Sequence, residues 1–440
     1  MRREVLSWYY RYGAFSKMKS VAISSDGLIS SQADGPIVIF GADICGRLIA
    51  RHLTAAGISV DFFVDNNSNK CGQLLEGLPV NTVEVLTRLP LNARFLVAST
   101  YYNDIFSQLN ELGFSNIHPS FELLKEIPES EISALPSLEG EVHGRGNFSR
   151  DFPLHAVTNM VNSQQSLLAE DVLFIRSVDV IITERCSLKC QDCANLMQYY
   201  EKPVDVETQL LLDSLDDLDA IADKINEIRV IGGEPLVNSD FDIVIRKAAS
   251  MKSVAKVVVY TNGTIVPSDE KLLSLSSCKD KLFFFITNYD GLSRKSSQLV
   301  DALNRYQLPN NCQDAYGWTE CGSIGRRNRS RVENEIIFQN CCAKNFISMS
   351  DSRLYRCPFS ANVSRLNGMP TELHEADGFD LKGSSVLPDS ELSAKKQALY
   401  DYLYNLKTLN ACDFCAGRTY GDPEIKPGIQ ARKALTYSRY

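Results

Sequence analysis

The chain has 440 residues, thirteen of them cysteine, and a formal net charge of −8. That length suggests roughly two to four domains of ~150 residues, and the acidic balance speaks against nucleic-acid binding, which needs a basic surface to neutralise phosphates. No apolar run reaches the ~18 residues that span a bilayer, and the N-terminal MRREVLSWYYRYGAFSKMKS lacks the apolar core and small-residue cleavage site of a secretory signal, so the expectation is a cytoplasmic protein with no membrane partner.

Residues 1–130 are predicted to form a Rossmann-like α/β domain. Pro36 to Phe40 is a short apolar strand ending at Gly41, Gly46 to Ala56 is helical, Ser59 to Val64 is a second strand ending in Asp65-Asn66-Asn67, and Phe95 to Ser99 is a later strand. The first turn reads Gly41-Ala42-Asp43-Ile44-Cys45-Gly46. A dinucleotide fingerprint would carry glycine at position 43 so that backbone could approach the pyrophosphate. Asp43 brings bulk and negative charge there and disfavours NAD or FAD, although Asp65 stands at about the distance of a ribose contact. Residues 131–172 are richer in Pro, Ser, Gly and His and read as a linker.

A second α/β series covers residues 173–310. Val178 to Thr183 is a strand, and Glu207 to Ile225 is an amphipathic helix with Leu211, Leu215, Leu218, Ala222 and Ile225 on one face. Strands follow at Ile228–Ile231, Val257–Tyr260 and Leu282–Ile286. Strands alternating with helices predict a parallel sheet, here a partial (β/α)6 barrel of the TIM type, whose chemistry sits at the C-terminal strand ends. From residue 311 to 440 the alternation stops, and Phe346–Met349 and Leu354–Arg356 read as a hairpin within a small α+β domain.

The cysteines are clustered, which in a large chain without a signal points to metal ligation or catalysis rather than to disulfides. Cys186, Cys190 and Cys193 have the spacing C-x3-C-x2-C directly after an apolar strand. Three thiolates can hold three irons of a [4Fe–4S] cube and leave the fourth iron open. A zinc knuckle would need a fourth ligand, and no nearby His supplies one. On these residues the sequence resembles the radical S-adenosylmethionine (SAM) superfamily. The resemblance implies that SAM chelates the open iron and is cleaved reductively to a 5′-deoxyadenosyl radical. Gly232-Gly233-Glu234-Pro235 is similar to the family's GGEP motif, whose backbone and Glu approach the SAM amino group. Thr261-Asn262 and Thr287-Asn288 resemble its polar strand-end positions near the SAM ribose and carboxylate. Ser293 and Lys295 follow in an anion-contacting or simply solvated loop. The resemblance runs from about Val178 to Tyr306. Asp192 departs from it, since many members carry an aromatic residue before the third cysteine.

Cys341, Cys342, Cys357, Cys412 and Cys415 form a second group. Four thiolates suit a complete [4Fe–4S] cluster or a structural zinc equally well by count. A Cys, a hairpin, a second Cys and a distant C-x2-C resemble the twitch domain, the shortened relative of the SPASM domain, which implies an auxiliary cluster that takes one of Cys341 and Cys342 and transfers electrons. Relatives with one such cluster include an aminocyclitol alcohol dehydrogenase and a cofactor cyclase.

Residues 37–79, with Val64-Asp65-Asn66-Asn67, resemble N-terminal domains of sugar-modifying acyltransferases that can hold a nucleotide-sugar; a docking or dimerisation domain is the alternative. Arg326, Arg327, Arg329 and Arg331 form a basic loop, either anion-binding or solvated. Cys321 or Cys312 could donate a hydrogen atom to a radical, as in radical epimerases, though buried thiols are the default. The family implies two [4Fe–4S] clusters, SAM, and an electron donor such as flavodoxin or ferredoxin. The expected reaction begins with hydrogen abstraction from a small polar metabolite: a sugar, an aminocyclitol or a nucleotide-linked compound. It ends in oxidation or rearrangement. Peptide maturation and a non-catalytic iron–sulfur or zinc scaffold are the alternatives.

Overall fold

The run Ile37–Phe40 is buried at every position, as befits a parallel strand covered on both faces. In the computed structural model of the chain, which describes residues 22–30, 35–137, 148–419 and 421–437, this strand (β1) lies inside a six-stranded sheet. The N-terminal segment weighed as a signal lies outside the described residues. Two compact units divide the chain, one drawn from Met1–Pro136 with Pro153–Val172, the other from Ser137–Phe152 with Leu173–Tyr440.

In the first unit β1 is joined by β2 (Phe62–Val64), β3 (Leu74–Leu75), β4 (Leu78–Asn81), β5 (Arg94–Val97) and β6 (Ile117–Pro119) in the order β3-β4-β2-β1-β5-β6. All neighbours are parallel except the β3–β4 hairpin. The helix Ile44–Ala55 packs so closely after β1 that a Cβ at Gly46 would lie 2.1 Å from the Gly41 carbonyl oxygen. Lys70 donates to Asp43 Oδ2 and Asp65 Oδ2, each at 2.9 Å, and Asp65 Oδ2 also accepts from the Ala42 amide. Burial works to lower the Lys70 pKa, but the charges and hydrogen bonds of the two carboxylates outweigh it and raise it. Asp65 is thus spent within the fold rather than turned to a ribose.

The stretch expected as a linker carries an 18-residue helix, Asp151–Leu168. Its buried positions include Ser163 and Gln164, so its apolar periodicity is diluted. Gln164 accepts from the Ser120 amide and donates to the Val97 and Ser99 carbonyls.

The second unit holds β7 (Phe174–Ile181), β8 (Lys224–Ile231), β9 (Val254–Thr261), β10 (Leu282–Asn288), β11 (Asn310–Asp314), β12 (Ile347–Ser350), β13 (Arg353–Tyr355) and β14 (Phe379–Asp380). Their order is β11-β10-β9-β8-β7-β12-β13-β14. The six strands from β11 to β12 run parallel, and β12, β13 and β14 pair antiparallel. The sheet is an α/β partial barrel that stays open among the described residues. Two expected boundaries move. The helix Thr208–Ile221 stops short of Ile225, which lies in β8, because the apolar period of the helix runs on by coincidence into that of the strand. The barrel extends past residue 310, since β11 continues to Asp314.

Alternate strand residues divide the two faces. Val178, Val180, Ile228, Val230, Val257, Val259, Phe284 and Ile286 belong to one core with Leu215, Leu218, Val244 and Leu299 of the covering helices. Asp179, Glu227, Arg229, Tyr260, Phe285 and Gln313 therefore face the inner side. Phe152 packs its ring against Phe283 and Phe285 at 6.4 and 5.8 Å. Among the described residues no helix is long and apolar enough to cross a membrane.

Candidate active site

β7 leads through Thr183 and Arg185 into the first cysteine loop. Thr183 donates to Asp205 Oδ1 at 2.6 Å, and Arg185 donates to Asp205 Oδ2 at 2.8 Å. Gly232 and Gly233, at the end of β8, back directly onto this segment. A Cβ would stand 2.3 Å from the Thr183 carbonyl oxygen in one case, and 2.3 Å from that of Arg185 and 2.7 Å from Cys186 Cβ in the other. Only glycine permits that approach.

Each sulfur of the loop receives N–H groups. Cys186 Sγ accepts from the Leu188 amide at 3.4 Å, with Asn262 Nδ2 at 3.8 Å. Cys190 Sγ accepts from Gln430 Nε2 at 3.2 Å. Cys193 is approached by the Met197 and Asn195 amides. Burial is the main force pushing all three thiols up, and Cys186 is raised further by the charges of Cys193, Glu234 and Cys190. Bare thiolates are disfavoured here, yet donors are aimed at each sulfur; that donor set fits an iron–sulfur cluster. No three His, Cys, Asp or Glu among the described residues converge closely enough for a single ion; the thiolates of a cube each bind a different iron.

Glu234 is fully buried. Its Oε1 accepts from Thr261 Oγ1 and the Leu236 amide, and its Oε2 from the Asn262 amide at 2.7 Å. Burial is the largest influence on it and raises its pKa to about 7 against those hydrogen bonds. The carboxylate is a strut between the ends of β8 and β9. Pro235 opens the short turn Pro235–Val237 behind it. Asn262 reaches across to Ser187 Oγ at 3.0 Å. Ser293 is buried, donating to the Asn262 carbonyl and accepting from the Tyr289 amide. It latches two strand-end loops together, whereas the Lys295 side chain is exposed. Asn288, next to Thr287 at the end of β10, donates to Asp314 Oδ1 at 2.6 Å. Tyr289 feels the charges of Cys190, Cys193 and Cys186 after burial, and its ring meets Trp318 edge-on at 5.8 Å.

In the second cysteine group, Cys341 Sγ accepts from the Ala343 amide at 3.4 Å, Cys357 Sγ from the Ser360 amide at 3.4 Å, and Cys415 Sγ from the Gly417 amide at 3.3 Å. Cys357 is pushed well up by burial and then, against the Ser360 bond, by Cys341, Cys412 and Cys415. Burial pushes Cys412 to about 12. After burial, Cys342 has Arg418 as its foremost charged neighbour, and its amide donates to the Arg418 carbonyl.

Within the basic loop Arg329 is turned inward, whereas Arg326, Arg327 and Arg331 are exposed. Arg329 donates to the Cys412 and Cys415 carbonyls at 2.8 Å each and to the Ala416 carbonyl at 3.2 Å, while its amide donates to Asp413 Oδ1. Arg327 donates to Ser323 and Arg326 pairs with Asp413 at 3.6 Å. Arg331 pairs with Glu335 on the surface. Arg329→Met would leave the Cys412–Cys415 turn without its charged donor. It is expected to cost about 2–4 kcal/mol and to lower iron in the second group. Arg331→Met should stay within ~0.5 kcal/mol. Thermal melting and iron counts on the two variants check this contrast.

Cys321 donates to the Asp192 carbonyl at 3.2 Å, and burial raises its pKa to about 11. It therefore lies beside the first loop. Cys312 packs against the helix-side core, away from the inner face.

Three features carry no local sequence signal. The tail from Glu424 to Tyr437 runs along the first loop. Ile425 donates to the Trp318 carbonyl, Gln191 to that of Ile429, Ala431 to that of Lys189 and Leu435 to that of Gln198, and Tyr437 stacks edge-on against Tyr199 at 5.2 Å. The Gln198 side chain is fully buried, and neither of its amide atoms is hydrogen-bonded among the described residues. On the inner face of the barrel, Arg229 pairs with Glu227 at 2.8 Å and stands 4.0 Å from Asp179. Ser177 Oγ, Asp179 Oδ1, Asn311 Nδ2 and Gln313 Oε1 are buried there and find no hydrogen-bond partner among the described residues.

Residues 180–305 match the family described as the Radical SAM superfamily. A probable GTP 3′,8-cyclase from Methanocella arvoryzae is 30% identical over 140 residues, covering 29% of this chain and 43% of that protein. The GTP 3′,8-cyclase of Clostridium acetobutylicum is 26% identical over 134 residues, 27% of this chain and 41% of its own. The chain thus spans less than half the length of these curated relatives. Among solved structures, BtrN in complex with AdoMet and 2-DOIA is 16% identical, covers 59% of this chain and 98% of its own, and gives a TM-score of 0.34. Streptococcus suis SuiB bound to S-adenosylmethionine is 15% identical over 36% of this chain and 38% of its own, with a TM-score of 0.27.

Proposed function

Residues 180–305 are a radical SAM domain, and from that premise we propose that this chain is an enzyme that acts on a small polar metabolite with the help of two iron–sulfur clusters. Cys186, Cys190 and Cys193 would hold the first cluster, and Cys341, Cys357, Cys412 and Cys415 the second. When bound, the first cluster supplies one electron to SAM at its open iron, and SAM cleavage then gives the 5′-deoxyadenosyl radical that removes a hydrogen atom from substrate.

The chain's own residues do the positioning. The Gly232-Gly233 backbone, with the polar groups Thr261, Asn262, Thr287 and Asn288, lines the strand ends where SAM would lie, and Ser293 holds the loops that carry them. Lys295 would meet an anionic group only from the surface. Four cysteine ligands would leave a cluster there no open position, which would suit it to electron transfer.

The observation that carries the small-molecule reading is the inner face of the barrel. Ser177, Asp179, Asn311 and Gln313 are buried with atoms that find no hydrogen-bond partner among the described residues, and such atoms are costly unless a ligand or water meets them. They suit hydroxyl, amino or ring-nitrogen groups. The matched relatives are named for a nucleotide substrate, which favours a sugar, aminocyclitol or nucleotide-linked compound. A flavodoxin or ferredoxin would reduce the first cluster, and a reducing cytoplasm would keep the ligand cysteines available for iron.

The test is anaerobic purification and reconstitution, an iron and sulfide count, and an assay for 5′-deoxyadenosine with dithionite and SAM. About eight irons per chain and deoxyadenosine formation are expected, with turnover stimulated by a low-mass metabolite fraction. Zinc in place of iron, or no deoxyadenosine from a reduced cluster, would leave a scaffold. Stimulation by a peptide fraction alone would make it a peptide maturase.

A further inference from the structure

Two of the three sulfurs in the first loop take hydrogen bonds from that loop's own amides. Cys190 instead takes its bond from a side chain 240 residues away. Gln430 is fully committed to this role. One N–H of its amide donates to Cys190 Sγ at 3.2 Å and the other to the Gly428 carbonyl at 2.8 Å, while Oε1 accepts from the Lys189 amide at 2.7 Å. A flipped amide would set oxygen against a carbonyl and nitrogen against an N–H, so the network assigns the donor to the sulfur. The backbone repeats the match. Cys190 and Gln430 form an antiparallel bridge, flanked by the Gln191 amide on the Ile429 carbonyl and the Ala431 amide on the Lys189 carbonyl.

We infer that Gln430 is a positioning residue of the radical cluster, setting its reduction potential through the Cys190 sulfur. The inference rests on the reading above that Cys190 ligates the cluster. An N–H donated to a ligating sulfur stabilises negative charge there, and the reduced cluster carries one more negative charge than the oxidised one. The bond therefore favours the reduced form and raises the potential. Because Oε1 also pins the Lys189 amide, the same side chain fixes the loop on which the sulfur sits.

The test uses the full chain, reconstituted anaerobically, with a redox titration followed by electron paramagnetic resonance. The signal read is the one that changes when SAM is added, since that marks the cluster with the open iron. In Gln430→Leu the midpoint should move to a more negative value, so that a smaller fraction is reduced at a fixed dithionite potential. In Gln430→Glu, which keeps an acceptor for Lys189 but places a carboxylate beside the sulfur, it should move further. Should Gln430→Leu fail to retain its cluster, Gln430→Glu carries the comparison. Unchanged midpoints in variants with intact, SAM-responsive clusters would overturn the role of Gln430 and leave the radical reading standing. A wild-type chain with no SAM-responsive cluster would remove the premise and this inference together.

Discussion

Cys190→Ala should abolish 5′-deoxyadenosine formation, a fall of at least ~10³-fold of the kind seen when one member of a group that acts as a unit is lost, and should lower iron by about four atoms per chain. The same outcome is expected for Cys186→Ala and Cys193→Ala, because the three sulfurs share one loop and Cys186 senses the charge of the other two. Cys412→Ala gives the necessary contrast. It should lose a comparable amount of iron and still cleave SAM, because its sulfur belongs to the other group. Iron analysis and chromatography of the nucleoside product read both results from one preparation. Loss of SAM cleavage in Cys412→Ala, with the first cluster intact, would count against two separable sites.

The second large effect separates two neighbours that spacing alone leaves equivalent. Cys341→Ala should reduce iron from about eight to about four atoms per chain, while Cys342→Ala should retain about eight. Cys341 Sγ receives the Ala343 amide and its charge reaches Cys357 and Cys415. Cys342 has Arg418 as its foremost charged neighbour, and among the described residues no donor from another residue comparable to the Ala343 amide approaches its sulfur. Mössbauer spectra of the two iron-57 proteins would show one cubane signal or two. The reverse pattern would exchange the assignments.

What was legible in the chain alone is what covalent spacing controls. Cys186, Cys190 and Cys193 lie within one loop, and Gly232-Gly233 need only follow a strand, so both could be found without knowing which strands pair. Strand existence was legible from apolar runs, but edges were not, because Ile225 continues a helical period while sitting in β8. The helix Asp151–Leu168 was missed because it buries Gln164 and Ser163 where apolar residues are the usual signal. Glu234 was legible as a motif member but not as a strut, since its partners Thr261 and Asn262 arrive from β9. The roles of Lys70, Arg329 and Gln430 were illegible for the same reason: each acts on residues brought near only by the fold. β12 lies beside β7 rather than beyond β11, an adjacency that no local pattern marks.

The pairing of residues 189–191 with 429–431 has a consequence for the order of events during synthesis. The cysteine loop leaves the ribosome 240 residues ahead of Gln430. At ~5–20 residues per second that lead lasts roughly 12–48 s. Throughout it the loop can meet its own strand β7, but the wall that later covers Cys190 does not yet exist. Iron delivery to a nascent chain would therefore find an open loop, and delivery to a finished one a loop already strapped down. A chain halted before residue 424 would keep the first situation permanently.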